Sequence, residues 1–167
     1  MNLDRLTTGE KILGACGAVL FLFSFVSLWG KIETKGAGIG NATVRFNAWD
    51  GYGFHVKLAI ILGLVAAALV IAKAAEVKID MPWGLVYLGV GGLALLLLLI
   101  GLLTGPAGGG GGSAFGFSVE VSRGIGLFIG VLLSAGMAYG GWMFYNEESA
   151  ATTATGPTTP DAPPPAV

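Results

Sequence analysis

Few side chains in this sequence are able to do chemistry, and their spacing limits what chemistry that is. There is one histidine, His55, and one cysteine, Cys16. A hydrolytic triad needs a Ser nucleophile, a His base and an orienting carboxylate within hydrogen-bond reach. The carboxylates that flank His55, Asp50 and Asp80, lie like it at the margins of apolar stretches and not in their depth. A lone His beside Trp49, Tyr52 and Phe54 reads as an interfacial side chain. One cysteine allows neither an internal disulfide nor a cysteine-based zinc site, and Cys16, inside an apolar run, reads as a small packing residue. Gly89-x-Gly91-Gly92 is not a nucleotide loop, because no strand precedes it and it falls in mid-run. Asn41-Ala42-Thr43 fits the glycosylation pattern, which matters only in a secretory-pathway protein. No catalytic, cofactor-binding or metal-ligating residue is expected, and the chain reads as a non-enzyme.

The elements that would carry these residues are apolar runs. Residues 81–103, MPWGLVYLGVGGLALLLLLIGLL, hold no charged side chain. As a helix rising about 1.5 Å per residue the run is roughly 34 Å long, slightly more than the ~30 Å hydrocarbon slab of a bilayer. It also lacks the polar face of a soluble surface helix. Three further runs group with it, giving spans at about 12–29, 56–75, 83–103 and 124–145. The first is too long for a signal-peptide core and has no A-x-A-like cleavage site after Trp29, so it reads as a retained span. The whole chain is 54% hydrophobic and 11% charged, against about 25% charged in a soluble domain. Its net charge of −1 supplies no basic field for nucleic acid. The expected partner is the lipid bilayer.

Residues 1–11 form a polar lead in which Thr7 and Glu10 fit a capping box: the Thr oxygen takes a first-turn N–H and the Glu reaches back to the cap. Between the first two spans, Thr43–Ala48 alternates polar and apolar residues at the strand period, with Lys31–Thr34 as a hairpin partner. After a five-glycine run at 108–112, Phe115, Phe117, Val119 and Val121 share one face of a second strand. Both loops follow odd-numbered spans, so they lie on one side of the membrane and could pair into a small sheet. Asp50 is a candidate cap for the second span, and Arg123 a partner for Asp50 or Glu120. Trp29, Trp49, Trp83 and Trp142 fall at run ends, where headgroup-level aromatics belong. Lys57 and Lys73 sit where long side chains snorkel to the interface. Residues 146–167, rich in Ala, Thr and Pro, read as a disordered tail whose bare PxxP pattern is a spacer.

In lipid, helices associate by close packing, which small residues permit. Gly126, Gly130, Ser134 and Ala138 recur every four residues on the fourth span, with Trp142 next in register. Gly14 and Ala18 on the first span, Ala59, Gly63 and Ala67 on the second, and Gly84, Leu88 and Gly92 on the third repeat the spacing less fully. The spans hold no acid, base or histidine in their interior, which argues against proton-coupled transport and intramembrane catalysis. Basic residues count four on the amino-terminal side and five on the other. The short lead with Arg5 and Lys11, together with the long Gly-rich loops opposite, favours both termini in the cytoplasm.

The Leu-Thr-Thr-Gly-Glu-Lys lead at 6–11, the Ala-Trp-Asp-Gly-Tyr-Gly segment at 48–53 and the Gly-rich loop before a glycine-bearing fourth span resemble a group of uncharacterised small four-span membrane proteins common in Actinobacteria. The resemblance implies the span plan and no activity. The reading is therefore an all-α, four-span membrane bundle (12–145) with a small outer β element. Its role is that of an accessory or scaffold protein that packs with itself or with an unknown membrane partner. An oligomeric channel or facilitator for small solutes is the alternative.

Overall fold

The computed structural model describes residues 6–36, 39–75, 82–106, 112–114 and 117–154. Arg5, Lys78, Asp80, Phe115, most of the glycine run and the tail beyond 154 lie outside them. In chain order the elements are α1 (Thr8–Phe23), β1 (Gly30–Gly36), β2 (Ile39–Phe46), α2 (Ala48–Gly51), α3 (Phe54–Ala74), α4 (Trp83–Thr104), β3 (Gly112–Ala114), β4 (Phe117–Arg123) and α5 (Ile125–Ala154).

Three helices, α3, α4 and α5, are long and apolar enough to cross a membrane. α1 is the exception: its 16 residues span roughly 24 Å at about 1.5 Å each. The expected first span at 12–29 thus begins earlier and stops sooner. Ser24 ends it. Its hydroxyl donates back to the Phe21 carbonyl at 2.6 Å and its amide is shared between the Leu20 and Phe21 carbonyls. Such local side-chain bonds compete with helix continuation. The chain then tightens, with Val26 N–H donating to the Phe23 carbonyl at 3.1 Å and Leu28 N–H to Val26 at 2.8 Å, before Trp29 N–H joins Phe46 at the sheet. Residues 25–29, apolar but for Ser27, therefore form a turn.

α4 ends on Gly105, whose φ of +77° suits glycine alone, followed by Pro106. α5 does not stop near Tyr145: residues 146–154 continue the helix, so the disorder expected from 146 does not hold over them. Glu147, Glu148, Ala150 and Ala151 contain no breaker, and Glu148 reaches α4, accepting the Gly84 N–H at 2.7 Å.

The four long helices form a ring in which α1 and α4 each pack against both α3 and α5. The strands make one antiparallel sheet, order β2-β1-β4-β3. β1 is paired on both sides, with Ile32 opposite Val44 on β2 and Val121 on β4. The first loop's hairpin thus joins a strand from the last loop, and the sheet covers one end of the ring. The strand expected over 43–48 ends at Phe46, since Ala48 opens α2. Exposed pairs dress the sheet: Lys35 to Glu120 at 3.3 Å and Lys31 to Glu33 at 2.6 Å. The Lys31 hydrogen bond and charge hold the Glu33 carboxyl below its ordinary range.

Candidate functional site

The small residues of α5 meet α1 and α4, but not as one stripe. A Cβ on Gly126 would press on the Leu28 and Trp29 backbone at about 3 Å, and one on Gly130 on the Trp29 indole at 2.8 Å. Ser134 is fully buried, its hydroxyl donating to Val131 at 2.8 Å. Ala138 is half-buried, with its backbone against Gly91 of α4. Trp142, next in the four-residue series, is exposed and lies beside Tyr139. A step of four residues advances about 40° on a helix of 3.6 residues per turn, so the series winds about 160° around α5 by its fifth member. The buried set keeps the helical period instead: Gly126, Leu127, Gly130, Ser134, Met137, Gly140, Gly141 and Phe144.

Close crossings also lie at glycines outside the four-residue series. A Cβ at Gly140 would meet the Gly9 carbonyl oxygen at 2.6 Å and the Leu13 nitrogen at 2.8 Å on α1. One at Gly141 would meet the Tyr87 carbonyl oxygen of α4 at 2.6 Å, and one at Gly17 the Gly63 carbonyl oxygen of α3. Gly89 and Gly92 of α4 behave differently. A Cβ at either would touch nothing within 4 Å. At about 100° per residue they lie well off the seam made by Gly84 and Gly91, on the outer face with exposed Leu85, Leu93 and Leu96. Gly84, Leu88 and Gly92 therefore do not act as a single face.

The end of the ring away from the sheet is polar. Thr7 accepts the Glu10 N–H at 3.4 Å while the Glu10 carboxylate accepts the Thr7 N–H at 2.9 Å, closing a capping box. The Glu10 side chain is fully buried, and its second carboxylate oxygen pairs with the Lys73 ammonium from the last turn of α3. Lys73 does not simply snorkel: its Nζ lies 4.1 Å from the Phe144 ring centre, 5.8 Å from Trp83 and 6.0 Å from Tyr87. Four helices thus meet at one ion pair walled by three aromatic rings. The Tyr87 hydroxyl is buried there with no hydrogen-bond partner among the described residues.

At the sheet end Trp29 is fully buried, its indole N–H donating to Phe23 at 3.0 Å and its ring edge-on to Tyr52. It plugs the ring where the chain turns back and is enclosed by protein, not presented to lipid. Trp49 is half-buried, stacked on Phe25 and donating to the Ser24 hydroxyl at 2.9 Å. Asp50 does not cap α3, whose N-cap is Gly53 with no side-chain bond. The cap in this region is Asn47, which accepts the Trp49 and Asp50 amides at 2.9 and 3.0 Å and starts α2. Arg123 pairs with neither Asp50 nor Glu120. Its guanidinium donates to the Leu103 carbonyl at 3.2 Å, tying β4 to the end of α4, while Glu120 is taken by Lys35. His55 faces the Thr104 hydroxyl at 3.3 Å, an arrangement with no carboxylate in it.

Burial pushes the Tyr52 phenol up to about 12, with nearby Arg123 pulling the other way. Its hydroxyl donates to the Trp29 carbonyl at 2.8 Å, which also accepts the Gly124 N–H at 2.8 Å. Tyr52→Phe is expected to cost only about 1 kcal/mol at neutral pH, because the carbonyl keeps a donor. A raised tyrosine contributes fully below its unfolded value near 10.0 and loses that contribution as pH rises towards 12. The variant's loss of thermal midpoint between those pH values should be shallower than that of the parent chain.

Chemically, these arrangements tie helix ends together and fill the ring. Among the described residues no three His, Cys, Asp or Glu side chains gather as metal ligands. The chain matches no protein-family model and no curated protein.

Proposed function

We propose that this is a non-enzymatic, multi-pass cell-membrane protein that acts as a scaffold by docking another transmembrane helix, from a second copy or from a partner, against the outer face of α4. In this reading α1 with its turn crosses as the fourth span, and both termini lie in the cytoplasm, as in the small four-span actinobacterial proteins it resembles. One observation carries the docking role. Every other described helical glycine has a neighbour that a Cβ would meet, whereas Gly89 and Gly92 face open space. Glycine inside a helix costs about 1 kcal/mol relative to Ala, and in lipid its use is to let another helix come close.

The same openness makes the test clean, since a Cβ at either position would meet nothing within 4 Å. A photoreactive residue at Leu93 in native membranes is expected to give a cross-linked adduct that Gly89→Leu and Gly92→Leu each abolish, with the thermal midpoint of the purified chain unchanged. An adduct indifferent to both substitutions, or none from this face, would refute the docking role.

A further inference from the structure

We infer that the cleft between the sheet and the start of α5 is a binding site for the phosphate group of an anionic phospholipid. The cleft holds about 280 Å³ and is lined by Lys31, Arg45 and Arg123 with Leu28, Gly124 and Ile125, and no carboxylate lines it. Lys31 and Arg45 stand on one face of the sheet at the cleft, and Arg123, paired with Gly30 on β1, borders it from β4. Lys31 and Arg45 stand directly opposite each other across the β1–β2 pair, where like charges are destabilising unless an anion lies between them. Lys31 is partly neutralised by Glu33 at 2.6 Å. Arg45 is exposed and has no ion-pair partner among the described residues. Arg123 gives one nitrogen to Leu103 and keeps the other donors of its guanidinium. The cleft also opens at the first residues of the 30-residue helix α5, whose positive dipole end favours an anion.

What selects a lipid over a free anion is the surface below. Ile125, Phe128 and Leu132, spaced three and four residues apart, are 64%, 54% and 73% exposed and run from the cleft along the outside of α5. A phosphodiester held by Lys31 and Arg45 would lay its acyl chain on that face. This rests on the reading that α5 crosses the bilayer. The absence of a lining carboxylate disfavours zwitterionic headgroups, whose ammonium would meet Lys31 and Arg45.

The test is native mass spectrometry of the full chain released from detergent, titrated with phosphatidylglycerol, phosphatidylcholine or inorganic phosphate. Phosphatidylglycerol should bind at least about fivefold more tightly than phosphatidylcholine, as expected for a single surface cation. Arg45→Gln should weaken phosphatidylglycerol about fivefold, and Lys31→Gln with Arg45→Gln on the order of 25-fold. Circular dichroism and the weak phosphatidylcholine binding should not change. Equal binding of the two lipids, undiminished phosphatidylglycerol binding in both variants, or uptake of inorganic phosphate without lipid preference would overturn the site. A chain monodisperse in plain buffer would overturn the membrane reading and the site with it. A detergent-dependent chain indifferent to phosphatidylglycerol would overturn the site alone.

Discussion

Gly17→Leu is expected to lower the stability of the detergent-purified chain by about 3 kcal/mol, at the upper end of what overpacking usually costs. The obstacle is backbone. A Cβ at Gly17 runs into the Gly63 carbonyl oxygen, and the next atoms it meets are the Gly63 carbonyl carbon at 3.3 Å and the Ala66 methyl at 3.4 Å. A carbonyl inside α3 cannot swing aside as a side chain can, so α1 and α3 must move apart. Separation loosens Gly14 from Val70, whose methyls would lie 3.1–3.3 Å from a Cβ there, and it takes Leu20 from its fully buried site. The reciprocal Gly63→Ala is milder, since its Cβ would lie 3.1 Å from the Gly17 oxygen, a gap that small shifts can open. Gly92→Leu is the internal control and should leave the midpoint unchanged. Thermal or denaturant unfolding followed by circular dichroism measures all three. A Gly17→Leu midpoint equal to that of Gly92→Leu would mean that α1 does not seat on α3.

Lys73→Met should be at least as damaging, at about 3–5 kcal/mol, because it strands the buried Glu10 carboxylate. Glu10 is fully buried while Lys73 is about one-third exposed at its side chain. The carboxylate therefore depends on the ammonium far more than the ammonium does on it. Glu10→Gln should cost less, since the amide oxygen can still accept the Thr7 N–H and Lys73 keeps the Phe144 ring at 4.1 Å. Combining Glu10→Gln with Lys73→Met should recover much of the loss, the non-additivity expected of directly coupled residues. If the double variant simply sums the singles, the two groups do not interact.

The runs at 56–75 and 83–103 are legible because a long uncharged stretch has few structural options, and α3 and α4 lie within two residues of them. The end of α1 is not legible in that way. Phe25 and Val26 prolong the apolar run, while the stop comes from hydrogen bonds at Ser24 and from the burial of Trp29, which hydropathy does not register. The Asp50 cap misleads for a related reason: Asn47, three residues earlier, also fits a cap, and the short α2 that it starts hides between two clearer elements. The Glu10–Lys73 pair lies at the ends of different runs, each polar end plausible in water on its own, and only the ring of helices brings them together. The four-residue stripe on α5 fails over distance, because its drift is harmless between neighbours and large by Trp142. The pattern that follows the buried face of α5 is mixed three- and four-residue spacing, as in Gly130, Ser134, Met137 and Gly141.

The most direct test of the four-rod arrangement is labelling of single cysteines with a membrane-impermeant thiol reagent, in a Cys16→Ser background, at Lys11, Lys35, Glu120 and Ser149. Lys11 precedes most of α1, Lys35 and Glu120 lie on the exposed sheet, and Ser149 is near the end of α5. Four crossings put Lys11 and Ser149 on one side of the membrane and Lys35 and Glu120 on the other. Labelling of Lys11 from the same side as Lys35 would mean that α1 does not cross and would contradict the arrangement.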